Sequence, residues 1–261
     1  VTPLKVWLAE KNVFLTKNDR RLWALKDKHK GEDAVVIGMG PSLRPEDLDR
    51  FENFVSFACN KIHLAYDQTK WRPDYYSVID VVVIENNYEE IGALKGSTKI
   101  FPSRWRRDLP HMEDALYFRR RPKSRKVDAK PEYTDNPLCG VLGGGATVLI
   151  PLIQMAYWMG CKSVYLVGLD FSFKLSQSTT EKSKGGAEIL SSNGETNHFH
   201  KDYRKKGEKW TAPKMDQQEH AFEYARRAFE AGGRKLLNAS RKTKLEVIEK
   251  VDFEEVFPSK S

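Results

Sequence analysis

Short apolar runs rich in β-branched residues alternate along this chain with segments whose apolar residues recur at helical spacing. Ala34-Val35-Val36-Ile37, stopped by Gly38, has the pattern of a strand buried on both faces. Phe54 to Ala58, Tyr75 to Ile79 and Ser163 to Val167 repeat it, and 235–238 closes the series. Lys99 to Phe101 and Leu116 to Phe118 are shorter strands. Between them the spacing predicts helices over 45–52, with Pro45 in the first turn, and over Ile62 to Asp67, 81–94, about Ala146 to Met159, and 214–231. Residues 17–30 carry Leu22, Trp23 and Leu25 among many charges and predict an exposed amphipathic helix ahead of the core.

Strand–helix–strand order repeated in this way predicts a parallel sheet with helices on both faces, a Rossmann-like, doubly wound α/β fold. The length of 261 residues suits one such domain over 1–261. Two stretches break the rhythm. Residues 119–137 are basic and proline-bearing, from Arg119 through Arg120, Arg121, Lys123, Arg125 and Lys126, and read as a linker or loop. Residues 172–212 are polar and poor in aliphatics, which predicts a mobile lid over about 171–212.

Composition narrows the class. With 40% hydrophobic and 31% charged residues the chain folds rather than staying disordered. No apolar stretch approaches the roughly 20 residues of a membrane helix; Val148 to Gly160 is interrupted by Pro151 and Gln154. A spanning protein is excluded and a peripheral membrane contact is left open. The net charge of +8 fits an anionic partner or an ordinary basic surface. Cys59, Cys139 and Cys161 lack CxxC spacing, and the first and last adjoin apolar segments as core thiols do, so a reducing, cytoplasmic setting is expected. No signal peptide is evident, and a chain starting at Val1 can begin inside a longer protein.

In parallel α/β sheets ligands gather at the carboxyl ends of the strands. The unusual polar residues of this chain fall there. Gly38-Met39-Gly40-Pro41-Ser42 lets the backbone turn sharply and approach a ligand, with N–H groups and the Ser42 hydroxyl free to hold a phosphate. It matches neither the dinucleotide fingerprint nor a Walker A loop, and a tight turn without a ligand is the other reading. On the first reading, Gly40→Val weakens nucleotide binding and leaves the fold intact. Asn60 and Lys61 place an amide and a cation past a strand, suited to a base or ribose edge, unless Asn60 only caps the next helix. Asp80 can accept ribose hydroxyls, bind a metal or cap 81–94. Gly144, Gly145 and Thr147 form a second glycine-rich helix start, for a sugar or phosphate or for close packing of helix on sheet. Asp170 ends the strand at 163–167.

His198 and His200 lie in the polar tract, in Asn197-His198-Phe199-His200-Lys201-Asp202-Tyr203. No other metal-type cluster accompanies them, so a catalytic acid or base is the better chemistry, with exposed loop histidines as the bland alternative. If the segment is extended, alternate residues share a face, and Asp202 would orient His200. His200 is then the expected base and His198 the residue nearer the donor. No tightly bound metal or cofactor is expected.

The strings VVIGMGPSLRPEDLDRF and FACNKIHLAYDQTKWRPDYYSVID resemble a bacterial and archaeal domain family typified by flagellar motility accessory factors, itself similar to archaeal 6-hydroxymethylpterin diphosphokinase. GGGATVLIPLIQMAYWMGCKSVYLVGLDFSF, NHFHKDY and KMDQQEHAFEYARRAFEAGGRKLLNAS extend the resemblance over roughly 18–257. The order of motifs is also similar to that of CMP-sialic-acid-dependent bacterial sialyltransferases. That resemblance implies nucleotide contacts at Gly38 to Leu43 and Asn60, a strand end at Gly168 to Phe171, and a general base at His198 or His200. It departs at Ser172 and Phe173, where those enzymes carry a tyrosine on the leaving phosphate, and at Asp80, where they carry an uncharged residue.

The expected function is therefore glycosyl transfer from a nucleotide-activated sugar, such as a CMP-linked nonulosonic-type acid, to a surface glycan, lipid or protein acceptor. Leaving-group charge would meet Tyr203, Arg204 or Lys201. The alternatives are Mg²⁺-dependent pyrophosphoryl transfer from ATP to a pterin alcohol, with Asp80 and Asp170 as the carboxylate pair, or a non-catalytic nucleotide- or glycan-binding module. Nucleic acid is not an expected partner: Arg104-Trp105-Arg106-Arg107 interleaves charge and ring, but no base-stacking platform is evident.

Overall fold

A computed structural model describes residues 2–108, 112, 115–119, 136–138, 145–175, 178–182 and 188–259. Two helices, α1 (Thr2–Glu10) and α2 (Lys17–Trp23), precede the sheet. The strands β1 (Asp33–Ile37), β2 (Val55–Cys59) and β3 (Tyr75–Ser77) follow, then α3 (Val81–Asn86), α4 (Tyr88–Ala93), β4 (Thr98–Pro102), α5 (Trp105–Asp108) and β5 (Leu116–Phe118). The chain returns through α6 (Leu149–Trp158) and β6 (Ser163–Val167). It then forms β7 (Ser178–Lys182), β8 (Glu188–Ser191) and β9 (Lys209–Thr211), and ends with α7 (Met215–Ala231), β10 (Lys235–Asn238) and α8 (Phe253–Val256).

Seven strands make one parallel sheet in the order β10-β6-β1-β2-β3-β4-β5. The apolar runs behave as expected: every residue of β2 and all but the first of β1 are buried, because helices cover both faces. The order reverses between β1 and β6, which pair in register from Asp33 with Ser163 to Ile37 with Val167. α6 is buried almost all round, and its Pro151 is tolerated because it stands in the first turn, where backbone N–H groups have no helical partner. α7 buries one stripe, Gln218, Ala221, Phe222, Ala225 and Phe229. Phe51, Phe54, Tyr165, Phe253 and Phe257 form an aromatic cluster that fixes the C-terminal segment to the sheet.

Several boundaries differ from the sequence reading. The 17–30 helix stops at Trp23 and continues as turns. Pro45–Phe51 and Ile62–Ala65 are 3₁₀ rather than α-helical. The 81–94 helix is two helices, broken where the Asn87 amide donates to the Val83 carbonyl and the Asn87 backbone leaves helical geometry. The polar tract is not a plain loop. It contains a three-stranded antiparallel sheet, β7-β8-β9, built on buried Ile189, Leu190 and Trp210. The basic tract 120–126, Cys139 and Gly144 lie outside the described residues. Cys59 and Cys161 are buried free thiols, as expected.

Candidate functional site

All seven parallel strands deliver their carboxyl ends to one edge, so the loops after β1, β2, β3 and β6 converge there. At the β1/β6 reversal the two loops interlock. Gly40 N–H donates to the Gly168 carbonyl at 2.8 Å, and Ser42 gives both its N–H (3.1 Å) and its hydroxyl (2.8 Å) to Asp170 Oδ2. A Cβ on Gly38 would sit 2.6 Å from the Gly168 carbonyl oxygen, and one on Gly40 would overlap the Asp170 carboxylate and lie 2.7 Å from that carbonyl. Gly38 and Gly40 are thus explained by close approach of two turns, and of the donors expected for a phosphate Ser42 gives both of its own to Asp170 while the Gly40 N–H goes to Gly168. Pro41 is exposed beside them.

The cavity lies one strand over. About 190 Å³ opens between Asn60 and Lys61 after β2, Ile79 and Asp80 after β3, Thr147 ahead of α6, and the small sheet. His198, Tyr203, Arg204, Glu208 and Trp210 line its other side, with Phe173 and Gln218. A larger cleft of about 320 Å³ adjoins Asp49 and Asp74. Its carboxylates are spent on the fold, Asp74 accepting from the Ser56 N–H and hydroxyl and Asp49 from Thr69, so it offers no convergent free groups.

Asn60 does not cap the following turn. It holds a left-handed φ of 47°, which asparagine tolerates, and its backbone carbonyl accepts from the Tyr76 hydroxyl at 2.7 Å. Its side-chain Oδ1 is buried with no hydrogen-bond partner among the described residues. A buried acceptor in that state beside a cavity is open to a donor from a ligand or from water. Lys61, also buried, donates to Glu208 at 3.1 Å. Glu208 further accepts from the Asn86 amide and the Lys205 N–H, and so ties the small sheet to the central one. Asp80 is the N-cap of α3, accepting from Val82 N–H at 2.8 Å, while its carboxylate still faces the cavity. Thr147 accepts from Leu149 N–H at the start of α6. Gly145 serves packing: a Cβ there would overlap Ala221 of α7.

The histidines part company. His198 lies on the cavity wall with its Nδ1 3.0 Å from Glu195 Oε1, a carboxylate whose side chain is 1% exposed. Its ring stacks on Tyr203. Burial pushes its pKa below the ordinary histidine value; Glu195 pulls it up, and Arg204 and Lys61 push it down. Glu195 is opposed by its own burial, yet His198, the Asn197 N–H and Arg204 together hold it below the usual carboxylate range. Burial likewise raises the Tyr203 phenol, which stays neutral. Arg204 lies 3.8 Å from Glu195 and stacks over Trp210 with its guanidinium 4.1 Å from the ring centre.

His200 instead caps a 3₁₀ turn, its Nδ1 accepting from Asp202 N–H at 3.2 Å. The Asp202 carboxylate stands 3.9 Å away and 63% exposed, so the expected orienting pair is weak. His200 and Lys201 do not line the cavity, and the two imidazoles do not share it. The lid segment is pinned: Phe199 N–H donates to the Met39 carbonyl, and Asn197 makes paired hydrogen bonds with the Lys174 backbone. Glu195, Glu208 and Trp210 were not singled out by the sequence reading; the Glu195-x-x-His198 spacing was the legible signal for the first. Among the described residues no group of three or more His, Cys, Asp or Glu side chains is arranged to hold a metal.

This chain is similar to a known family and to a solved structure. The family model described as 6-hydroxymethylpterin diphosphokinase MptE-like matches residues 11–175. The solved structure of a MAf glycosyltransferase from Magnetospirillum magneticum AMB-1 is similar with a TM-score of 0.50 and 14% identity. That similarity covers 87% of this chain and 37% of the other, so this chain spans little more than a third of its length. The likeness is one of fold. No curated protein sequence matches.

Proposed function

Because the chain belongs to the 6-hydroxymethylpterin diphosphokinase MptE-like family, we propose that it is a transferase acting on a nucleotide-activated substrate, and that the group transferred is a sugar. The observation that carries this reading is the Glu195–His198–Tyr203 assembly on the wall of a cavity that also holds Asn60, Lys61 and Arg204. The name and fold of the MAf glycosyltransferase support it.

In the proposed reaction Glu195, 3.0 Å from Nδ1 of His198, supports the charge that the imidazole gains, and Nε2 serves as the base. Nε2 takes the proton of an acceptor hydroxyl as its oxygen bonds to the anomeric carbon. The sugar–phosphate bond breaks and its electron pair leaves with the nucleotide phosphate. Lys61 and Arg204, two of the cations that line the cavity, would meet that charge. Asn60 Oδ1 accepts from the nucleotide base or ribose, and Asp80 from a sugar hydroxyl. A CMP-linked nonulosonic-type acid is the proposed donor, and a glycan, lipid or protein hydroxyl the acceptor.

Pyrophosphoryl transfer from ATP is the second reading, favoured by the description of the family. It would use Asp80 and Asp170 with Mg²⁺. These two carboxylates serve different places: Asp80 caps α3 on the cavity, and Asp170 holds Ser42 in the β1/β6 interlock. A thermal-shift panel of CMP, CDP, UDP, GDP and ATP, each in EDTA and in Mg²⁺, separates the readings. A ligand at a hundred times its Kd stabilises by about 2.7 kcal/mol. Stabilisation by CMP in EDTA is expected; stabilisation only by ATP with Mg²⁺ overturns the glycosyl reading.

A further inference from the structure

Six large apolar side chains stand exposed among the described residues, and four of them, Leu4 (54%), Trp7 (56%), Val13 (48%) and Leu15 (56%), fall in one N-terminal stretch. Scattered exposed apolar residues need no explanation, but a concentration of this kind marks an interaction surface. Leu4 and Trp7 are three apart on α1 and share a helix face. Asn12, at a left-handed φ of 57°, turns the chain, and Val13 N–H donates back to the Leu8 carbonyl, which keeps the turn against the end of α1. Ala9 and Phe14 point the other way, into or against the core. The apolar side chains are left on the outside by a defined local structure.

The charges around them are lopsided. Lys11, Lys17 and Arg20 are exposed in the same stretch, with Glu10 as the exposed acid; Asp19 is buried. Arg20 lies over the Phe14 ring, which holds its guanidinium at the edge of the patch. A second copy docked face to face would bring these cations against one another. A surface that is apolar below and anionic above satisfies both sets of groups at once.

We propose that α1 and the turn after it dock this protein on an anionic phospholipid bilayer, with Trp7, Leu4, Val13 and Leu15 entering the headgroup region and Lys11, Lys17 and Arg20 meeting lipid phosphates. Tryptophan at the headgroup level and basic side chains beside an apolar face are how interfacial helices bind without spanning. No helix among the described residues is long and apolar enough to cross a membrane.

Sedimentation of the full chain with vesicles tests this. Binding to mixed phosphatidylcholine–phosphatidylglycerol vesicles, and little to phosphatidylcholine alone, is expected. Trp7→Ser combined with Leu15→Ser should weaken binding by at least about tenfold. Lys11→Glu with Lys17→Glu should erase the preference for anionic vesicles, each positive charge lost being worth about fivefold before the added repulsion of the new carboxylate. Unchanged melting temperatures show that the variants fold. Absence of binding to either vesicle, or binding undiminished in the Trp7→Ser, Leu15→Ser protein, overturns the proposal. So does a wild-type dimer without vesicle binding that the same double variant dissolves, which would assign the patch to a second copy.

Discussion

The imidazole of His198 lies flat on the phenol of Tyr203, ring centroids 3.8 Å apart and planes within 5° of parallel. Stacking sets the plane of the imidazole, and the Glu195 carboxylate stands 3.0 Å from its Nδ1. On the proposed mechanism these two neighbours hold the base, and neither touches His200 in this way. Positioned general bases contribute about 10²–10⁴-fold. His198→Ala should lower kcat by at least about 10², and His200→Ala by less than about tenfold, measured with donor and acceptor at saturation. The opposite ranking removes His198 from the role.

On the proposed mechanism the acid limb of kcat/KM reports the ionisation of His198. Since burial and the nearby cations depress it, the limb should lie below about 6.5. Glu195 raises the His198 pKa, so Glu195→Gln should move the limb to still lower pH. Arg204 lowers it, so Arg204→Met should move the limb up. Stability follows the same sign. The unfolded chain takes up a proton near pH 6.5 that the folded imidazole resists, so stability is full above that value and falls as pH drops through it toward the folded pKa. His198→Asn should flatten that part of a pH–stability profile from denaturant titrations.

Gly40→Ala tests the interlock. The new methyl cannot fit between Asp170 and the Gly168 carbonyl, so the turns must separate, a strain of about 1–3 kcal/mol. A lower midpoint in urea is expected, where the sequence reading had expected a ligand effect on an intact fold. Stability equal to wild type with lost nucleotide affinity would restore the phosphate cradle.

Phe257 lies fully buried against Phe51 at 4.8 Å and Phe54 at 4.9 Å between ring centres, although it is four residues from the C-terminus. Phe257→Ala should cost about 3–5 kcal/mol, read from chemical denaturation. A loss under about 1 kcal/mol would mean that the C-terminal segment contributes little to the core.

The strands were legible because a parallel strand covered on both faces must be apolar throughout, and Val35 to Ile37 and Ser163 to Val167 say so without context. The small sheet was not, because β8 offers only Ile189 and Leu190 and β9 only Trp210. Sequence position placed the candidate site at the ends of β2 and β3, where Asn60, Lys61, Asp80 and Tyr203 line one cavity. The roles of Gly40 and Ser42 were hidden because a turn that cradles an anion and one that grips a neighbouring carboxylate use the same residues. His198 and His200 could be ranked only by the turn that His200 caps, which breaks the alternation assumed for an extended segment.

The position of β1 bears on how the chain is made. β1 precedes the other strands of its sheet along the described chain, yet it lies between β2 and β6, and β6 follows β2 to β5 in sequence. A nascent chain emerging from the ribosome can therefore assemble one half of the sheet while β1 keeps an open edge of unpaired N–H and C=O groups. Such an edge is a template for another strand. The partner that seals it arrives with Gly168 and Asp170 at its end, so the contact that completes the middle of the sheet also aligns the loops above it.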